Sequence, residues 1–125
     1  MAWLMRDAEV LASLEIATTH RDRAKGLLGR DGFDGALLLE HARSVHTFGM
    51  RFPIDVAFLD DDLVVVRTTQ LRRFRMTMPV RGAHHALEAE AGAFARWDLV
   101  VGDRLEVQGS DAHPDGNGAG PASGA

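Results

Sequence analysis

The chain has 125 residues, 46% of them hydrophobic and 26% charged, with a formal net charge of −4 and neither cysteine nor tyrosine. That length allows one domain, and the lack of cysteine excludes a disulfide scaffold, a thiolate zinc site, an iron–sulfur cluster and a cysteine nucleophile. The acidic balance, with near-average apolar content, disfavours a disordered chain and a generally basic nucleic-acid binder.

Arg6, Asp7 and Glu9 interrupt the apolar start too early for a secretory signal, and no apolar run approaches the ~20 residues a membrane span needs. A cytoplasmic protein without membrane contact is expected. Glu9 to Ile16 places Val10, Ala12, Leu14 and Ile16 on one side at period two, which predicts a half-buried strand. Thr18 or Thr19 caps a following helix, and Thr19 with Asp22 resembles a capping box with the shorter acid. The helix is expected over His20–Leu28, with Ala24, Leu27 and Leu28 inward and Gly29 as its left-handed terminus. Ala36 to Leu39 is a second apolar run, and Ser44 to Phe48 suits a short strand. Pro53 marks the entrance to a strand over Ile54–Leu59, with Ile54, Val56 and Phe58 on one face and Asp55, Ala57 and Leu59 on the other. Asp60–Asp62 turns the chain into a β-branched strand over Leu63–Thr69, the clearest hairpin in the sequence. Arg72 to Val80 is basic and irregular. Ala86 to Ala91 reads as a strand, Ala93 to Trp97 as one helical turn, and Leu99–Val101 with Arg104–Val107 as a closing hairpin around Gly102-Asp103. Many short strands and one convincing helix predict a mainly β domain over residues 1–107 (α+β by strict count), a compact curled sheet or barrel-like fold. Residues 108–125 hold no large apolar side chain and are expected to form a disordered tail rich in Gly, Ala and Pro.

Several of these residues resemble a known pattern. Arg23 through Arg30 is similar to the R-x-x-GLM-x-R signature of the domain of unknown function 192 family, with Leu28 where methionine is usual. Val45 through Asp60 looks like that family's central M-x-x-x-x-PLD-x-x-F-x-D block, carried here by Pro53-Ile54-Asp55, Phe58 and Asp60. His46-Thr47-Phe48-Gly49 replaces the aromatic-Met-Lys-Asn stretch of many members. Leu87-Glu88, Ala91-Gly92 and Gly102-Asp103 resemble its later markers, in order. The resemblance covers about residues 9–107. It implies a small β-rich fold and no activity, because the family has no established biochemical role.

Three residues stand out as candidate catalytic groups. Asp55 lies mid-strand, where aspartate is unfavourable. It is either a tuned acid or base, or a carboxylate that accepts backbone or arginine hydrogen bonds and fixes the loop preceding the strand. Glu88 shares a strand face with His84, Ala86 and Glu90, and on pattern alone that face is solvated. His46 is a candidate proton carrier if it meets Asp55 and Glu88 on neighbouring strands. No metal site is expected: His84 and His85 point to opposite faces of a strand, and His41 and His46 are five residues apart rather than four. No cofactor motif is present; Gly26-Leu27-Leu28-Gly29 ends a helix, whereas a phosphate loop begins one.

Charge is distributed unevenly. Five arginines and no acid lie between Leu63 and Leu87, and Arg72-Arg73-Phe74-Arg75 interleaves an aromatic ring with guanidinium groups. Asp60–Asp62 or Glu88 would be internal partners for some of them. Arg51, Arg72, Arg73, Arg75 and Arg81 are the candidate ligand-binding residues, for a small anion or an acidic protein surface. Met76 and Met78 add adaptable apolar contacts. The leading expectation is a non-catalytic binding or accessory module. The alternatives are a hydrolase or lyase using Asp55 or Glu88 with His46, and single-stranded nucleic-acid binding through residues 72–81, which the overall charge disfavours.

Overall fold

In a computed structural model, the described residues are 1–109. The elements in chain order are β1 (Ala2–Arg6), β2 (Glu9–Ala17), α1 (His20–Lys25), β3 (Ala36–Glu40), β4 (Ile54–Leu59), β5 (Val65–Leu71), β6 (His85–Glu90), α2 (Ala93–Arg96) and β7 (Glu106–Gly109). The seven strands form one sheet in the order β5-β4-β6-β3-β2-β1-β7. Every pairing is antiparallel except β2 with β3. This bears out the mainly β expectation. The sheet is curled but not closed: beyond the ladders, the chain before β7 meets the start of β5 through a bridge between Val64 and Arg104. Backbone hydrogen bonds from Val65 N to Asp103 O (2.8 Å) and from Leu105 N to Leu63 O (2.9 Å) reinforce it.

Two apolar clusters lie on the two faces of this sheet. One gathers Leu4, Leu14, Leu38, Ala57, Leu59, Val65, Leu87 and Leu105 from all around the curl, with Phe94 of α2 packed among them. The other puts Leu37, Leu39, Val56, Phe58 and Ala86 under Leu27, Val45, Met50 and Phe52, which belong to the connections that cross the opposite face. All six residues of β4 are therefore buried. That is why its run IDVAFL carries no polar residue except Asp55.

Several boundaries differ from the sequence expectation, each for a local reason. The helix stops at Lys25 rather than Leu28. Gly26 takes a positive φ of 48°, its N–H still bonding to Asp22 O at 2.9 Å, and Leu27 then turns into the core at 1% exposure. The Thr19 cap is as expected, its hydroxyl accepting from Asp22 N at 3.0 Å. Strand β1 was not anticipated. Ala2 and Leu4 are buried and Trp3 is exposed, a period-two pattern closed by Asp7 and Ala8, both at positive φ. The closing hairpin does not form. Residues 99–101 are not a strand, and β7 pairs with β1, because the chain at 102–105 is engaged by β5. Ser44–Phe48 contributes only one bridge, His46 with Met76. Gln108 and Gly109 are part of β7, so the strand runs past residue 107; the rest of the expected tail lies outside the described residues. Among the described residues, no helix is long and apolar enough to cross a membrane.

Candidate functional site

The sheet brings some of the candidate residues together and separates others. In the β4–β6 ladder, Val56 stands opposite Glu88 and Asp55 opposite Ala89. Paired residues share a face, so Asp55 and Glu88 lie on opposite faces of the sheet although their strands are neighbours. A joint Asp55–Glu88 site is thereby excluded by strand geometry. Asp55, 5% exposed, accepts three hydrogen bonds of 3.0 Å, from Gln70 Nε2, Gly92 N and Phe94 N. Its carboxylate accepts backbone hydrogen bonds, as one expectation had it, but the segment it fixes is the turn into α2 rather than the loop preceding β4.

Glu88 departs from the pattern-based reading. It is 4% exposed rather than solvated, since Leu27 and the 41–50 connection cover its face. Burial pushes its carboxyl up to about 7. Its side chain makes no hydrogen bond or ion pair with any described residue. It opens instead on a cavity of about 320 Å³ whose walls include Leu27, Leu28, Leu39, Val45 and Met50. Arg23, Lys25, His41 and His46 supply the other charged or titratable groups of the lining. His46 and Glu88 thus border one space, as required by one expectation; Arg23 and Lys25 are cations of that space which the sequence reading missed. Arg23 and Lys25 both belong to the last turn of α1, just before Gly26, and only the sheet register places that turn over Glu88: a Cβ on Gly26 would sit 3.4 Å from Glu88 Oε1.

Next to the cavity is a two-stranded ribbon made from residues 45–48 and 74–77. His46 pairs with Met76, Thr47 N donates to Arg75 O at 2.7 Å, and Thr77 N donates to Val45 O at 2.8 Å. Val45 and Thr47 face inward, at 8% and 0% exposure. The Thr47 hydroxyl donates to Arg72 O (2.6 Å) and accepts from Arg75 N (2.7 Å), tying the arginine segment to the fold. The outer side carries His46 stacked on Phe48, with ring centroids 5.6 Å apart. Phe48, Phe74, Met76 and Met78 are all exposed, Met78 to 78%. Phe74 sits at φ 60°, a conformation that costs a bulky residue about 1–2 kcal/mol, and the Arg73 guanidinium lies 5.1 Å from its ring centroid.

The candidate arginines are not neutralised by the acids considered for them. Arg73 Nε donates to Met50 O at 3.0 Å and Arg75 to Phe74 O, while Arg51 pairs with Asp31 at 2.7 Å, outside the cavity. Arg72 and Arg81 are exposed, and their side chains make no hydrogen bond or ion pair with described residues. His84 and His85, expected to diverge, both approach Asp61 Oδ1, at 3.3 and 3.7 Å, because β6 begins only at His85. His85 Nδ1 accepts from His41 N at 3.1 Å, and burial lowers its pKa. Among the described residues, no group of three or more His, Asp or Glu is placed to hold a metal ion.

Comparison with known proteins agrees with this architecture. The chain is 31% identical over 98 residues to a UPF0127 protein of Pyrococcus abyssi, covering 74% of this chain and 84% of that one. It is 41% identical over 63 residues to a UPF0127 protein of Pyrococcus furiosus, 50% of this chain and 54% of its relative, so the match spans about half of that protein's length. Among solved structures, a protein of unknown function from Novosphingobium aromaticivorans has the same fold. The TM-score is 0.72 at 22% identity, over 84% of this chain and 82% of that one. A putative transcription regulator from Sinorhizobium meliloti also shares it, with a TM-score of 0.71 at 22% identity over 85% and 91% of the two chains. The DUF192 family, described as Uncharacterized ACR, matches residues 3–107, and the chain belongs to that family.

Proposed function

We propose that this protein is a non-catalytic accessory module that docks an acidic protein surface on the outer side of the 45–48/74–77 ribbon. The observation that carries the reading is the exposure of Phe48, Phe74, Met76 and Met78 together with that of Arg72 and Arg81, which lie in the same acid-free segment as the last three and whose charges have no described partner. Aromatic, methionine and arginine side chains are the types enriched at protein interfaces. The held, left-handed Phe74 supports it, since backbone strain in a well-anchored loop marks a position kept for something other than stability. Acidic partners are favoured by charge, as no acid occurs between Leu63 and Leu87.

Fluorescence anisotropy with a labelled peptide of alternating glutamate and leucine tests the surface. Binding should weaken with salt and fall about tenfold in the Arg72→Glu/Arg81→Glu variant. No binding to the wild-type protein would overturn the proposal. So would tighter binding of labelled oligothymidylate, which would assign the surface to single-stranded nucleic acid.

The raised pKa of Glu88 also favours a second, catalytic reading, in which Glu88 acts as general base beside His46 and Asp55 takes no part. Turnover of p-nitrophenyl esters that disappears in Glu88→Gln supports it; identical rates in the two proteins rule it out.

A further inference from the structure

The cavity over Glu88 has its own chemistry, distinct from the ribbon surface. Glu88 is 4% exposed, and its carboxyl oxygens open only on this cavity, where they have no hydrogen-bond or ion-pair partner among the described residues, so an ionised carboxylate there has no opposite charge beside it. The strand neighbours do not relieve it, because Leu37 and Val56, which flank Glu88 in the ladders, are apolar. A ligand cation would relieve it, since charge-assisted hydrogen bonds are the strongest available to such a group. The walls are aliphatic, and two cations, Arg23 and Lys25, also border the space. A purely cationic ligand would be repelled by them. Gly26 passes close by the carboxylate, a Cβ there lying 3.4 Å from Glu88 Oε1, and its positive φ of 48° disfavours a side chain at this point of the wall.

We infer that this cavity binds a small amphoteric molecule, an aliphatic amine that also carries a carboxylate or phosphate. Its ammonium group meets Glu88, its carbon chain packs on Leu27, Leu28, Leu39 and Val45, and its anionic group is held by Arg23 and Lys25. A volume of about 320 Å³ is at the small end of ligand cavities, which suits a compact molecule rather than a nucleotide. This site does not depend on the docking surface, and either can fail alone.

Isothermal titration calorimetry with 6-aminohexanoate, hexylamine and hexanoate tests it. The aminohexanoate should bind saturably, with both single-ended probes weaker. Glu88→Gln should lower its affinity about tenfold or more. At pH 7, titrations in two buffers of different ionisation enthalpy should show protons released on binding, as an ammonium group draws Glu88 into its ionised form. Arg23, Lys25, His41 and His46 are the other groups on the cavity, and proton release should vanish in Glu88→Gln if Glu88 is its source. The wild-type proton count stands as a test even if that variant does not fold. Absence of saturable binding by the aminohexanoate, unchanged affinity in Glu88→Gln, or binding without proton release would each overturn the assignment.

Discussion

Replacing Glu88 by glutamine should stabilise the protein at high pH, an unusual outcome for a change at a buried polar residue. Burial is the cause of the raised pKa, so the cost appears only when the carboxyl ionises inside the fold. The group titrates near 4.5 in an unfolded chain and at about 7 in the folded one. Below pH 4.5 both states hold the proton and no charge penalty exists. Between 4.5 and 7 the unfolded chain releases its proton while the folded protein retains it, so stability falls; above 7 the loss is constant. At about 1.36 kcal/mol per pH unit, that displacement amounts to roughly 3 kcal/mol. Glutamine keeps nearly the same shape without the charge. Glu88→Gln should therefore exceed the wild type by about 3 kcal/mol at pH 8 and match it within about 1 kcal/mol at pH 4.5. In a domain of this size the gain at pH 8 raises Tm by more than about 10 °C. Urea unfolding followed by tryptophan fluorescence at pH 4.5, 6 and 8 reads it directly. A difference between the two proteins that does not grow with pH, or a wild type more stable at pH 8, would refute the account.

Asp55→Ala should cost about 2–4 kcal/mol, because it strips the acceptor from the Gly92 and Phe94 N–H groups. Amide exchange at Phe94 should accelerate in parallel, and a loss below about 1 kcal/mol in urea unfolding contradicts the assigned role. Phe74→Gly relieves the positive φ and removes a ring that is 57% exposed. Stability should stay within about 1 kcal/mol of the wild type or rise, while affinity for the acidic peptide drops about tenfold. His85 is held neutral by burial and by accepting from His41 N, so its contribution is present above its ordinary value of 6.5 and declines as pH falls below it. Measured in a Glu88→Gln background, where the carboxyl's opposite slope is gone, His85→Gln should flatten stability between pH 6.5 and 5; an unchanged slope removes His85 as the cause.

Much of the fold was readable because local patterns and tertiary demands coincided. Ile54–Leu59, Ala36–Leu39 and the Thr19 cap follow from periodicity and capping chemistry, which act over a few residues. The helix end was misplaced because Gly26 and Gly29 are both able to adopt positive φ, at 48° and 81°, and nothing local ranks one above the other. The solvated reading of Glu88 failed for a longer-range reason. In strand β6 the residue alternates with Leu87 and Ala89 as an outward position should, yet the outward face is itself covered by the chain from Leu27 to Phe52.

Sequence alone determined the β-rich class, the family pattern, the chemical limits set by missing cysteine and tyrosine, and the arginine segment free of acids. Those are properties of composition and short-range order. Only the tertiary structure decided that Asp55 and Glu88 part company across one sheet, that Glu88 is buried without a partner, and that Arg23 and Lys25 share its cavity. It also decided that Phe48, Phe74 and Met76 come to one ribbon. Strand register and the path of the crossing connections set these relations. Both are fixed by pairings between residues far apart in the chain, which no local pattern specifies.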